Sequence, residues 1–327
     1  MPNHDDHNGH DKGEFDGVTR LYIRTHPADD GNVPLPAALP QWQSPDVLIH
    51  QPGGAIGFEA IANQVNQVQV IVTNGGGIIA VDAFVDVFFA DPSTAFTPAT
   101  ATLIGGDYLT IPGYSTQSIM LPWTPTSADA GHRCLVARVA LYIPLDAYVD
   151  GTIFDVRGDR HVAQRNINVL ALAANQRSIR FGFAIVNPFQ EGMAMRLAAR
   201  EVRAVRAQRQ LREGLGCRFA QFGETPLKNF GLILGREVLH VPSLENPMEL
   251  LDDPRFRLKG VGVLRQAAGD EPRARMRAEM APGEVRQGIL VVERNPDTRP
   301  GDIHAIDVVQ TAEDGTVVGG LTLVVQH

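Results

Sequence analysis

Three histidines near the N-terminus have the residue types and spacing best suited to metal binding. His4, His7 and His10 recur at every third position, with Asp5 and Asp6 between the first two and Asp11 after the third. Imidazole and carboxylate groups at such spacing are ligands for divalent metals. A solvated polar tail accounts for the same residues without a metal. We therefore treat His4, His7 and His10 as candidate metal ligands, with the solvated tail as the alternative.

A second periodic feature is a run of arginines at every third residue. Arg200, Arg203, Arg206, Arg209 and Arg212 form this run. On a helix they would spread over a wide band that could bind phosphate or an acidic subunit surface. The alternative is a solvated helix whose arginine stems cover nearby apolar surface. The candidates for a subunit contact are Arg203, Arg206 and Arg209.

The remaining motifs do not predict an active site. The chain has no GxSxG, HExxH or EF-hand pattern, and no Cys/His pairing with suitable spacing. Residues 53–57 are glycine-rich but are not a GxGxxG loop, so a turn is expected there. The tripeptide Arg157-Gly158-Asp159 could act as an adhesion ligand, but a local Gly-Asp turn explains it as well. We expect a protein that is not an enzyme and has no cofactor. A site in the loop-rich residues 213–260 is the enzymatic alternative.

Composition limits the possible partners. The chain has 327 residues, a net charge of −8 and only 6% aromatic residues. The net negative charge argues against nucleic-acid binding, and the scarcity of aromatic residues argues against a large sugar-stacking surface.

The two cysteines, Cys134 and Cys217, are too few for a disulfide framework, so two buried thiols are expected. No signal peptide is visible in the first 20 residues and no apolar run is long enough to span a membrane. We expect export by a non-standard route, or a place in a particle or extracellular assembly.

Residues 44–170 have the pattern of short strands and turns that is typical of an antiparallel β-sandwich. Short apolar runs alternate with Gly, Pro, Asn and Asp turns throughout this stretch. The run from Val81 to Phe89 places its odd-numbered residues on one face, as in a half-buried strand. Trp123 is expected in the core of this sandwich. Residues 166–172 are expected to be its closing strand.

The second half of the chain is predicted to be mainly β with a helical or loop insertion. Apolar residues between Met195 and Val205 follow the 3,4 spacing of a helix. Arg273, Arg275 and Arg277 alternate with small or apolar residues, as in a strand with one solvent-exposed face. Asp314-Gly315 between two apolar runs predicts a hairpin.

Residues 44–170 also resemble the CARDB family of bacterial adhesion-related, immunoglobulin-like domains. The resemblance is carried by Pro45-Asp46-Val47, Val70-x-Val72-x-Asn74-x-Gly76, Val85-x-Val87-Phe88-Phe89, Ile104-Gly105, Ile111-Pro112-Gly113, Pro122-Trp123, Gly131-His132 and Asn166. It implies a seven-stranded sandwich used as a spacer, adhesion or assembly module, with no catalytic residues. The loop from Tyr142 to Arg160 is longer than the family pattern. The second half of the chain resembles no particular family.

These observations predict two immunoglobulin-like antiparallel β-sandwich domains, an extended N-terminal arm and a short helix in the second domain. The expected divisions are 1–43, 44–174 and 175–327. We expect a structural or assembly subunit of a fibre, particle or other repeating structure, whose main partner is itself. In this hypothesis Leu21, Tyr22 and Ile23 form a strand that is added to a neighbour's sheet. The alternative is an adhesion module that binds another assembly protein, a cell-surface glycan or a host surface.

Overall fold

The computed structural model describes residues 14–36, 39–57, 60–129, 133–171, 177–202, 221–223, 227, 229–234 and 274–327. Within these ranges the chain is mainly β, and its mostly antiparallel sheets pack as sandwiches around two clusters of buried apolar residues. The fold class expected from the turn pattern is confirmed.

The first sandwich is built from two sheets and one short 3-10 helix at Ser127–Asp129. Its strands are β1 (Leu21–Tyr22), β2 (Val47–His50), β3 (Ile56–Gly57), β4 (Asn66–Asn74), β5 (Ala80–Ala90), β6 (Thr102–Ile111), β7 (Ser115–Trp123), β8 (Cys134–Tyr142), β9 (Leu145–Ala147) and β10 (Val162–Arg165). In one sheet β4 pairs with β7 on one side and with β1 and β2 on the other, and β3 extends β2. In the other sheet the order is β10-β8-β5-β6, with β9 also on β8.

The core of this sandwich follows from alternation along its strands. Every second residue of β4 is buried, and Val68, Val70 and Val72 are completely so. Trp123 lies in the same cluster, 5.1 Å between ring centroids from Phe89, which confirms its expected core position. Because inward positions alternate with outward ones, the inward face of each sheet is apolar. The outer side of β8 is covered as well, where Val136 and Val162 pack with Phe96 in a smaller buried cluster.

Strand β5 departs from simple alternation at its start. Ala83, Val85 and Val87 are buried as predicted, but Val81 is half exposed. The pairing with β6 skips a residue between Ala80 and Ala83, and Asp82 has a φ of 56°. The extra residue is a β-bulge, which turns Val81 to the outer face.

Strand β1 belongs to the chain's own first sheet, which corrects its expected use by a neighbour. Leu21 pairs with Asn74 and Tyr22 with Thr73 of β4. Leu21 and Ile23 are completely buried in the core of the same sandwich. Their apolar side chains are needed inside this chain, so the segment is an element of the first domain and not a free arm.

The second sandwich packs a six-stranded sheet against a three-stranded one. Its strands are β11 (Ile167–Ala171), β12 (Ser178–Val186), β13 (Met193–Val202), β14 (Gln221–Phe222), β15 (Asn229–Leu234), β16 (Ala274–Met280), β17 (Val285–Glu293), β18 (Asp302–Ala312) and β19 (Val317–Gln326). The larger sheet has the order β11-β19-β18-β13-β16, with β14 also on β18, and the smaller has the order β12-β17-β15. Strand β16 and the β18–β19 hairpin at Asp314-Gly315 match the sequence prediction.

The segment predicted to be a short helix is strand β13. Met195, Leu197 and Ala199 are buried at alternate positions, and the strand pairs with β16 on one side and β18 on the other. Alanine and arginine permit either structure, and pairing along both edges satisfies the backbone groups that a helix would satisfy internally. The helix prediction for residues 195–202 is wrong, and residues 203–220 lie outside the described ranges.

The two sandwiches meet at a buried polar junction. β11, expected to close the first sandwich, instead pairs in parallel with β19 of the second, so the change of sheet falls at Asn166. Its side-chain amide donates to the carbonyl oxygen of Gly320 at 2.9 Å. Nε1 of Trp42 donates to Oγ1 of Thr322 at 2.9 Å. Trp42, which lies between β1 and β2, and Asn166, which follows β10, are thereby both fixed to β19 of the second sandwich.

Candidate functional site

Strand β6 forms one of the unpaired edges of the first sandwich. Within the described residues β6 pairs with β5 alone, over Thr102–Ile111. The backbone N–H of Tyr108 donates to Oδ1 of the preceding Asp107 at 2.8 Å. Asp107 is the only charged residue of this strand, whose other side chains are neutral. Edge strands of soluble proteins are usually shielded by several charges, prolines or short length, and β6 has little of this protection.

The face of the sheet beside this edge is aromatic. Tyr108 is 64% exposed and its ring centroid lies 5.1 Å from that of Phe84 on β5. Further along the face, the Arg138 guanidinium forms a bidentate pair with Asp86, with Nε to Oδ1 at 3.0 Å. The guanidinium carbon is 4.4 Å from the ring centroid of Tyr148. Since carboxylate and rings surround it, Arg138 anchors the loop after β9 to the sheet.

A second exposed surface is the tip of the β8–β9 hairpin and the loop that follows it. Ile143 is 89% and Val149 92% exposed, and Tyr142 and Leu145 are also largely exposed. A groove of about 410 Å³ lies next to Leu145. Its lining includes Phe15, Val18, Arg20, Ile78, Leu145 and Arg160. Exposed apolar residues grouped in this way are typical of surfaces that contact other molecules.

Beneath this groove is a buried histidine between two aspartates. Nδ1 of His161 is 2.7 Å from Oδ1 of Asp159, and Nε2 is 2.8 Å from Oδ1 of Asp146. Ionised carboxylates only accept hydrogen bonds, so both ring nitrogens donate and the ring is an imidazolium. Burial lowers the pKa of His161, but the two carboxylates outweigh burial and leave the pKa above its ordinary value.

The arrangement resembles an acid–base pair, but its contacts make it structural. All three side chains are buried, and both ring nitrogens are already bound to carboxylates. A general base needs a free nitrogen within reach of a substrate proton. The other oxygen of Asp146 accepts the backbone N–H of Leu21 at 2.7 Å, and Arg160 donates to the Leu21 carbonyl oxygen. The cluster therefore holds β1 in place.

The same contacts account for the Arg157-Gly158-Asp159 tripeptide. Asp159 is buried, and its carboxylate accepts from His161 and from the backbone N–H of Val149 at 2.7 Å. An adhesion ligand must present this carboxylate to a receptor. Here it closes a loop inside the protein, as the local-turn interpretation expects. Within the glycine-rich residues 53–57, Gly53 and Gly54 have positive φ in the turn between β2 and β3, and Ile56–Gly57 form β3 itself.

The other predicted site residues fall in two groups. His4, His7 and His10, and Arg203, Arg206 and Arg209, lie outside the described residues. Leu21, Tyr22 and Ile23 lie in the first sheet and the chain that follows it. In the described ranges no group of three or more His, Cys, Asp or Glu side chains is arranged to hold a metal ion. No helix of the described part is long and apolar enough to cross a membrane.

Sequence reasoning did not identify the β6 edge or the Asp146–His161–Asp159 cluster. A strand's position in its sheet depends on pairing with distant strands, and β6 has no local signal that makes it an edge. For the cluster a weak signal existed, since Asp159 and His161 are two residues apart with Arg160 between them. Asp146 joins them only through the β8–β9 hairpin.

No protein-family model and no curated protein matches the chain. Among solved structures, the CARDB domain of the PF1109 protein from Pyrococcus furiosus is 18% identical, covers 32% of this chain and 76% of its own, and has a TM-score of 0.23. A mutant of the enterotoxigenic E. coli CFA/I adhesin CfaE is 6% identical; the match covers 84% of this chain and 81% of the adhesin chain, with a TM-score of 0.23. Red sea bream transglutaminase is 11% identical; the match covers 82% of this chain and 30% of the transglutaminase chain, with a TM-score of 0.19. The resemblance to CARDB domains is thus matched by a similarity of low TM-score over part of the chain, which assigns neither family nor function.

Proposed function

We propose that the chain is a non-enzymatic assembly subunit in which β6 of one copy pairs with β6 of a second copy. The observation that carries this proposal is the open edge of β6, whose pairing within the described residues is with β5 alone. Strand addition at such an edge draws its affinity from backbone hydrogen bonds and its register from alternating side chains.

The backbone at the centre of β6 supports this use of the edge. The Tyr108 N–H is bound by the neighbouring Asp107 carboxylate, so we infer that it points away from β5. A partner strand would offer a carbonyl oxygen to this donor and release Asp107 to solvent. Leu103 and Tyr108, both largely exposed, would be partly covered by the same contact.

This contact differs from the one expected from the sequence, in which residues 21–23 are added to a neighbour's sheet. Leu21 and Tyr22 are paired within their own sheet, so in this proposal they are not the added strand. Antiparallel pairing of the same strand from two copies is isologous and closes into a two-fold dimer. Growth of a larger assembly would need a second contact, for which the apolar hairpin tip at Ile143 is the available surface.

Analytical ultracentrifugation of Tyr108→Pro and Tyr108→Ala tests the proposal. Both variants remove the side chain, but only proline removes the N–H that a partner strand would use. We expect the wild type and Tyr108→Ala to show concentration-dependent dimers, and Tyr108→Pro to sediment as a monomer with an unchanged circular dichroism spectrum. A folded Tyr108→Pro variant that still dimerises, or a wild type that is monomeric throughout, would overturn the proposal. If Tyr108→Pro does not fold, Leu103→Lys, which places a charge beside the edge, replaces it. A folded monomer then supports the proposal, and a folded dimer contradicts it.

The second candidate is an adhesion module that uses the β8–β9 hairpin tip. The nearly complete exposure of Ile143 and Val149 favours it. An apolar tip suits a protein surface better than a glycan, which needs hydrogen-bonding groups and stacked rings. A glycan array without specific hits would remove the glycan form of this candidate.

A further inference from the structure

Three ionisable side chains point into one end of the second sandwich. Every second residue of β13, β18 and β19 belongs to the apolar core, and the same alternation places Glu201, His304 and, one residue beyond β19, His327 on the inward side. His304 is only 3% exposed. A core position is an unfavourable place for an imidazole unless its nitrogens find partners.

Glu201 fixes the tautomer of the His304 ring. Nδ1 of His304 is 2.8 Å from Oε1 of Glu201. The carboxylate accepts, so Nδ1 carries the hydrogen, and in the neutral ring Nε2 then has a lone pair. Histidines that bind metals use the same arrangement, in which a carboxylate holds one nitrogen and turns the other towards the ion.

Among the described residues, Nε2 of His304 and both ring nitrogens of the neighbouring His327 are buried without a hydrogen bond. The two rings are perpendicular, with centroids 4.8 Å apart. Two imidazoles bound to one tetrahedral zinc ion at ordinary Zn–N distances have centroids roughly 5 Å apart.

From this geometry we propose that His304 and His327 together bind one divalent transition-metal ion of the imidazole-preferring type, such as Zn²⁺. Glu201 is the positioning residue, and water completes the coordination. Imidazole nitrogens favour zinc, copper and nickel over calcium or magnesium.

Gly223 leaves space beside the His304 ring, because a Cβ at that position would lie 2.4 Å from Nε2 of His304.

Titration calorimetry of the metal-free chain of residues 1–327 with zinc chloride tests the site. All proteins carry His4→Ala, His7→Ala and His10→Ala, so that the N-terminal histidines do not contribute. We expect one equivalent of zinc to bind, and this binding to be lost in both His304→Ala and His327→Ala. Glu201→Gln should weaken the affinity by roughly 10- to 100-fold, as the loss of an outer carboxylate does.

Two results would overturn the proposal. One is a parent protein that binds no zinc, which would mean that the orphaned nitrogens are satisfied by water. The other is unchanged zinc affinity in folded His304→Ala and His327→Ala variants. If alanine unfolds the sandwich, His304→Gln and His327→Gln replace it, and the zinc-dependent shift in Tm is compared with that of the parent.

Discussion

His161 and Leu21 are joined through one carboxylate, that of Asp146. Its Oδ1 accepts from Nε2 of His161 at 2.8 Å, and its Oδ2 accepts from the Leu21 backbone at 2.7 Å. A buried ion pair therefore holds the two-residue strand β1 against β4. So short a strand gains little from its two residue pairs, and this side-chain contact supplies additional attachment.

The first prediction is a pH dependence of unfolding caused by this cluster. The pKa of His161 is raised, so its contribution is complete below the unfolded value of 6.5 and is lost as pH rises through the folded value. Burial raises the pKa values of Asp146 and Asp159, but hydrogen bonds with His161 outweigh it and leave both lowered. Their contribution is present above 3.8 and is lost as pH falls through their folded values. Their joint stabilisation is therefore greatest between these limits.

Urea unfolding of the wild type and His161→Gln from pH 4 to pH 9 measures this effect. The difference in unfolding free energy should be largest near pH 5 to 6, at about 3 kcal/mol for a broken buried pair, and smaller at high pH. His50→Gln is the control, since Nε2 of His50 contacts the side-chain oxygen of Gln69 and not a carboxylate, and the residue is half-buried. A pH-independent difference would contradict the charged state assigned to His161.

The second prediction concerns truncation at the N-terminus. Deleting residues 1–43 removes β1 with the buried residues Leu21 and Ile23, together with Trp42 of the junction. The loss of three large buried side chains costs roughly 7–15 kcal/mol, which is comparable with the whole of the about 5–15 kcal/mol that stabilises a domain. We expect this variant to be unfolded or aggregated, whereas deletion of residues 1–13 should leave a folded protein. Circular dichroism and size-exclusion chromatography distinguish the outcomes, and a folded 1–43 deletion would show that β1 is dispensable.

The third prediction concerns the hydroxyl at the junction of the two sandwiches. Oγ1 of Thr322 accepts from Trp42 and Gln43, and donates to Oδ1 of Asp307 at 2.8 Å. Thr322→Val keeps the shape but leaves buried polar groups without partners, so unfolding free energy should fall by at least about 2 kcal/mol. Thr322→Ser keeps the hydroxyl and should lose clearly less. Equal losses in chemical denaturation would mean that packing, not hydrogen bonding, fixes the junction.

The fourth prediction concerns the reactivity of Cys134. The thiol is buried, and this burial raises its pKa to about 12. Its Sγ–H donates to Oδ1 of Asn166 at 2.7 Å. In a Cys217→Ser variant, a thiol reagent at pH 8 should therefore label the native protein only as fast as it unfolds. Rapid labelling without denaturant would show that the thiol is accessible.

The sequence predicted the elements whose cause is local. Alternation in β4 and β16 and the Asp314-Gly315 turn indicated strands and a hairpin, and these are present. It failed where a distant partner decides the outcome. The residues of β13 fit both a helix and a strand, and pairing with β16 and β18 selects the strand.

By itself, the amino-acid sequence determined a mainly β protein, because the alternation of apolar residues and the turn-forming residues act over only a few positions. Tertiary structure decided which strands are neighbours and which edge stays open. It also brought Asp146 to His161, and placed the rings of His304 and His327 side by side. These relationships depend on the closure of long loops and the burial of shared surfaces, which no short stretch of sequence records.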